Sequence, residues 1–119
     1  MPARVLIVDD HEVVRRGLRM VLTCDCPVEV CGEARDGLDA LRKVLELHPD
    51  LVILDLTMPQ MNGFEAATQM RLIEPSLKII FYSIHEIPAT ARFSGGDAFV
   101  SKSSSRQELS ATVDRVLHS

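Results

Sequence analysis

The chain has 119 residues, 46% of them apolar and 25% charged, which is enough for one domain with its own core. A formal net charge of −4 with no run of Lys or Arg argues against nucleic acid binding by this chain itself. No apolar stretch reaches membrane-spanning length, and the opening Met1-Pro2-Ala3-Arg4 has no secretory character, so a cytoplasmic protein is expected.

The first aliphatic run, Arg4-Val5-Leu6-Ile7-Val8, reads as a buried strand and ends in two acids, Asp9 and Asp10. From His11 to Thr23, Val14, Leu18, Val21 and Leu22 form the stripe of a helix packed on a sheet. Asp9 or Asp10 is its expected cap, with Glu12 in the first turn. Cys24, Cys26 and Cys31 are odd in number and lack a second ligand pair, so reduced thiols are expected rather than a metal site.

Val28 to Ala34 alternates apolar and polar residues, the pattern of a strand at a sheet edge. Asp36 then caps a predicted helix through Leu38, Leu41, Val44 and Leu45. The run Leu51-Val52-Ile53-Leu54 reads as a strand buried on both faces. It stops at Asp55, and Met58-Pro59 cannot continue a central ladder because proline lacks the donor.

After Gly63 a helix is predicted from Phe64 to Leu72, then a strand from Leu77 to Tyr82 with Ser83 at its end. His85 to Ser94 is predicted as a short, weak helix, the fourth of five. Ala98-Phe99-Val100-Ser101 is the last strand, with Lys102 at its end. The capping box Ser105-x-x-Glu108 opens a final helix carrying Leu109, Val113 and Val116 on one face. Strands alternating with helices predict an α/β fold, a doubly wound five-stranded parallel sheet with helices on both faces.

Parallel strands point their C-termini the same way, so Asp9, Asp10, Asp55, Ser83 and Lys102 should share one edge, where open α/β sheets bind ligands. Singly, each has a plain structural reading: a helix cap, a strand-end serine, a solvated lysine. Together, three carboxylates repel unless a cation joins them, and oxygen-only ligands suit Mg²⁺. A lysine and a hydroxyl opposite them complete a phosphoryl-transfer site with Asp55 as nucleophile.

The ordered set Val8-Asp9-Asp10-His11, Asp55-Leu56-Thr57-Met58-Pro59 with Asn62-Gly63, Ser83, and Phe99-Val100-Ser101-Lys102 resembles the receiver domain of bacterial two-component response regulators. The resemblance covers the whole chain. The Asp-Asp-His opening, with Ser103 rather than proline after the lysine, looks most like the LuxR-type (NarL/FixJ) subfamily, whose receivers precede a helix-turn-helix domain.

The resemblance implies a flavodoxin-like, CheY-like sheet of strand order 2-1-3-4-5. It implies that Asp55 accepts a phosphoryl group from a sensor histidine kinase, a phosphotransfer protein or a small phosphodonor. Asp10, Asp55 and the Thr57 carbonyl would hold Mg²⁺ directly, and Asp9 through water. Lys102 would pair with Asp55 and then with a phosphoryl oxygen. Ser83 would hydrogen-bond the phosphoryl group, with Phe99 packing inward behind it as the switch aromatic. Thr57 and His85 occupy positions that tune dephosphorylation.

The implied protein is no enzyme beyond its own phosphoryl transfer and slow dephosphorylation. Its output would be a protein–protein surface, with homodimerisation among the contacts and transcription regulation as the purpose. Residues 1–119 would be one receiver domain, with any DNA-binding domain beyond residue 119 and no contact to membrane or nucleic acid through this part.

One departure stands out. Ser83 and Lys102 are 19 positions apart, and the family has about one helical turn more there. The fourth helix is therefore expected to be shortened, and Pro88 and Gly95-Gly96 weaken it further. That leaves a receiver-like scaffold without phosphate switching as the alternative. An aspartyl-phosphate hydrolase is disfavoured by Thr57, where a second aspartate would stand. A dinucleotide binder is disfavoured because no G-x-G-x-x-G follows the first strand.

Overall fold

A computed structural model of the chain describes residues 2–58, 61–84 and 96–118. The elements are β1 (Ala3–Val8), α1 (Glu12–Asp25), β2 (Val28–Ala34), α2 (Gly37–Leu47), β3 (Leu51–Asp55), α3 (Gly63–Ile73), β4 (Lys78–Ser83), β5 (Ala98–Ser101) and α4 (Arg106–Leu117). The five strands form one parallel sheet in the order β2-β1-β3-β4-β5, as expected. The helix predicted over 85–94, and with it His85, lies outside the described residues.

Side chains alternate across each strand, so successive residues feed two cores. Leu6, Val8, Val52, Leu54, Ile79 and Phe81 face one side, where Ala40 and Val44 of α2 and Ala66, Ala67 and Met70 of α3 pack. Val5, Ile7, Leu51, Ile53 and Ile80 face the other, against Leu18 and Leu22 of α1 and Leu109, Val113 and Val116 of α4. Every residue of β3 is buried, which is why its sequence shows no polar alternation.

Asp36 caps α2 by accepting from the Asp39 amide at 2.8 Å, and Ser105 caps α4 through the Glu108 amide at 3.1 Å. Two details differ from the sequence reading. His11, not Asp9 or Asp10, is the N-cap residue of α1, and it makes no side-chain cap bond. On α2 the buried residues are Gly37, Ala40 and Val44, while Leu38 and Leu45 are more than half exposed. Small residues let this helix lie close on the sheet and α3; Leu41 and Leu47 pack partly buried on the same core, and Leu38 and Leu45 are left outward.

Candidate functional site: an acid pocket at the strand ends

Register places the polar residues. Val8 pairs with Leu54, so Asp9 leaves β1 level with Asp55 at the end of β3. Asp55 pairs with Tyr82, and Ser83 pairs with Ser101, so Ser83 and Lys102 emerge just beyond. The Lys102 amide donates to the Ser83 carbonyl at 2.8 Å, extending the ladder by one bond. The edge predicted to gather Asp9, Asp10, Asp55, Ser83 and Lys102 does so.

Asp9 is fully buried, Asp55 and Ser83 almost so. One ligand atom from each of Asp9, Asp10, His11 and Asp55 lies within 4.8 Å of all the others. Lys102 Nζ stands 2.7 Å from Asp9 Oδ2 and 3.6 Å from Asp55 Oδ2, with its own side chain only 11% exposed. The expected Lys102–Asp55 pairing is therefore the looser of two contacts, and Asp9 holds the lysine more closely.

Burial pushes the Asp55 carboxyl above the usual carboxylate range. A hydrogen bond from the Thr57 amide to Asp55 Oδ1, at 3.1 Å, pulls the other way. Asp9 and Asp10 raise it again by repulsion, and Lys102 offsets only part of this. Two buried carboxylates with a third, exposed one within reach and too little positive charge among them are a donor set for a hard divalent ion, so the residues present fit Mg²⁺. Asp9, Asp10 and Asp55 are the residues that would hold it.

The turn after β3 is built to aim Asp55. Gly63 brings α3 against the strand end: an added Cβ there would stand 2.6 Å from the Asp55 carbonyl oxygen and 2.7 Å from Leu56 Cα. The Gly63 amide donates to the Leu56 carbonyl at 2.9 Å. Asn62 closes the turn, accepting from the Glu65 amide and donating to the Glu65 carboxylate, both at 2.9 Å. Thr57 itself is exposed beside the pocket.

Phe99 packs inward, as the sequence reading has it. Its ring stacks on Phe81 at 5.2 Å between centroids, and Phe64 meets the far side of the row edge-on at 5.1 Å. Lys102 Nζ also lies 5.8 Å from the centre of the Tyr82 ring.

Two contributors escaped the sequence reading. His11 Nδ1 lies 3.0 Å from Asp10 Oδ1 and 3.2 Å from Asp9 Oδ1, at the rim of the pocket. Its adjacency to Asp9-Asp10 was the available signal. Arg15 donates from Nη1 to the Asp9 carbonyl at 2.7 Å, a contact that spacing alone does not disclose. A separate cavity of about 1070 Å³, bordered by Arg4, Cys26, Asp50 and Leu117, lies at the opposite edge of the sheet and shares no residue with the acids.

The profile of the response regulator receiver domain family matches residues 5–114. The response regulator protein VraR of Staphylococcus saprophyticus is 36% identical over 116 residues, a match covering 95% of this chain and 56% of that protein. The chain thus spans about half the length of the curated relatives it matches. A LuxR-family two-component response regulator from Aurantimonas superposes with a TM-score of 0.92 at 33% identity, over 99% of this chain and 86% of that one. A chain of the CheX–CheY–BeF₃–Mg²⁺ complex from Borrelia burgdorferi superposes with a TM-score of 0.91 at 26% identity, over 98% of this chain and 90% of that one. The matched stretch reaches from the first strand into the last helix and takes in the acid pocket, and on that ground the chain belongs to the response regulator receiver domain family.

Proposed function

We propose that this receiver accepts a phosphoryl group on Asp55 and signals through the change that follows. The donor is a phosphohistidine on a sensor histidine kinase or phosphotransfer protein, or a small phosphodonor. With a phosphohistidine donor, an Asp55 carboxylate oxygen attacks phosphorus, an acyl phosphate P–O bond forms, and the donor's P–N bond breaks. The imidazole leaves with its electron pair and takes a proton from solvent.

The observation that carries this reading is the placement of Lys102 against both Asp9 and Asp55 inside a pocket of three carboxylates. A buried ammonium there can turn from Asp9 toward a phosphoryl oxygen on Asp55 without crossing solvent. Mg²⁺, when bound, would neutralise carboxylate and phosphoryl charge; the relative solved with BeF₃ and Mg²⁺ supports this assignment. Thr57, through its carbonyl, is the further ligand of the reading. In this reading Ser83, buried at the end of β4, hydrogen-bonds the new phosphoryl group, and Phe99, stacked on Phe81 two residues before Ser83, reports the change.

The chain so read turns over no separate substrate. It transfers to itself and loses the group slowly by hydrolysis, with Thr57 and His85 as tuning positions. Its output is a protein surface, homodimerisation included, that regulates transcription in the cytoplasm, any DNA-binding domain lying outside residues 1–119. Neither membrane nor nucleic acid is touched by this domain. Among the described residues, no helix is long and apolar enough to cross a membrane.

Intact mass after incubation with Mg²⁺ and a small phosphodonor tests the chemistry, with Asp55→Asn alongside. A phosphoryl adduct on the native chain alone is expected. Absence of both adduct and Mg²⁺ binding would leave the receiver as a scaffold.

A further inference from the structure

The backbone of Asp9 is fixed from both sides. Its amide donates to the Ala34 carbonyl of β2 at 3.1 Å, and its carbonyl accepts from Arg15 Nη1 at 2.7 Å. That carbonyl belongs to the peptide joining Asp9 to Asp10, so its plane decides how the second acid leaves the strand end. Arg15 reaches it from α1 with a side chain only 12% exposed.

The guanidinium is braced in turn. Arg15 Nε donates to Glu33 Oε1 at 2.9 Å, while Arg19 binds Glu33 Oε2 from Nε at 2.9 Å and from Nη2 at 2.7 Å. The Glu33 carbonyl accepts from Lys43 of α2. Glu33 is thus tied to α1 by its carboxylate and to α2 by its backbone, and it touches none of the pocket acids in these contacts. The planar fork of Arg15 uses two nitrogens in two directions at once, which a lysine cannot do. The neighbouring Arg16–Glu12 pair, both side chains more than 70% exposed, has no such connection and is an ordinary surface pair.

We propose that Arg15, braced by Glu33, is a positioning residue for the divalent cation: it holds the Asp9–Asp10 peptide in the orientation that the ion requires. The proposal rests on reading the acid pocket as the cation site. A positive charge beside the pocket repels a cation, so if Arg15 acted only as a charge, its removal would tighten binding. As a positioning group its removal weakens binding in spite of the lost repulsion.

The test is calorimetric titration of Mg²⁺ into the metal-stripped full chain, for the native protein, Arg15→Met, Arg15→Lys, Glu33→Gln and the Arg15→Met/Glu33→Gln double variant. Arg16→Met serves as a charge control, and the unfolding midpoint of each metal-free variant is recorded. The expected result is a Kd raised about threefold to tenfold in Arg15→Met and in Glu33→Gln. Arg15→Lys falls between them and the native chain, and Arg16→Met does not weaken binding. The two changes do not add, because Glu33 acts through Arg15.

Unchanged or tighter Mg²⁺ binding in both single variants overturns the proposal, and so does full additivity in the double variant. If Arg15→Met does not fold, Arg15→Lys decides in its place, because it keeps the charge and loses the fork: weaker Mg²⁺ binding supports positioning, and unchanged binding overturns it. A native chain that binds no Mg²⁺ would instead overturn the cation-site reading beneath it, and the two failures are told apart by that first titration.

Discussion

Lys102 Nζ lies 2.7 Å from Asp9 Oδ2 and 3.6 Å from Asp55 Oδ2, so one ammonium serves two carboxylates and favours the more deeply buried. Removing it strands both charges. Lys102→Met is expected to cost the metal-free protein roughly 1–3 kcal/mol, the range for leaving a buried acceptor unpaired. Urea unfolding in a chelator measures the loss, and saturating Mg²⁺ should recover part of it by binding the native state alone.

Asp55 has the opposite sign. Burial first, then Asp9 and Asp10, hold its folded pKa above the unfolded value, so ionising it at neutral pH opposes folding. That penalty is present in full above the folded pKa and fades as pH falls through it. Asp55→Asn should therefore raise the metal-free melting temperature at pH 7 by roughly 2–6 °C. The gain should shrink as the pH is lowered through the range where Asp55 takes up its proton, and a gain independent of pH would contradict this account.

Glu33 titrates in the other direction. Desolvation pushes its carboxyl up, but hydrogen bonds from Arg19 and Arg15 outweigh this and leave it below the usual range. Its stabilisation is present above the unfolded pKa and is lost as pH falls through the folded one. The stability difference between the native chain and Glu33→Gln should be largest near neutrality and vanish in acid, as paired melting curves from pH 7 downward would record.

Gly63→Ala puts a methyl 2.6 Å from the Asp55 carbonyl oxygen, where backbone rather than a yielding side chain must shift. A cost of about 1–3 kcal/mol is expected from overpacking. Displacement of the strand end should also slow phosphodonor labelling of Asp55 more than the same substitution at Gly17, where an added Cβ meets nothing within 4 Å.

Phe81 is fully buried between Phe64 and Phe99, whereas Phe99 is only partly buried. Phe81→Ala should cost about 3–5 kcal/mol by leaving a cavity. Phe99→Ala should cost distinctly less, and chemical denaturation of the two variants would show the order.

What could be read from the chain alone follows from how local the cause is. β3 and β5 are unbroken apolar runs with a polar stop, and their observed limits are those predicted. Strand-end acids and Lys102 were legible because parallel topology turns position along a strand into position in space. On α2 the stripe holds at Val44, which is buried, and at Leu41, which packs partly buried on the core, and fails at Leu38 and Leu45, because close packing turns Gly37 and Ala40 inward and leaves those two leucines outside. The preference of Lys102 for Asp9, and the Arg15–Glu33 brace, depend on contacts 93 and 18 residues apart, which no local pattern carries.

The burial of β3 on both faces, with β1 and β4 bonded to either side, also governs how the molecule breathes. Amides of Val52 to Leu54 can exchange with solvent only when the whole sheet opens, while β2 and β5 can fray at the edges. The carboxylate that this strand carries is thus anchored to a strand expected to be among the slowest to exchange of the described residues. Fluctuations of the surrounding loops can change what approaches Asp55, but not where Asp55 is.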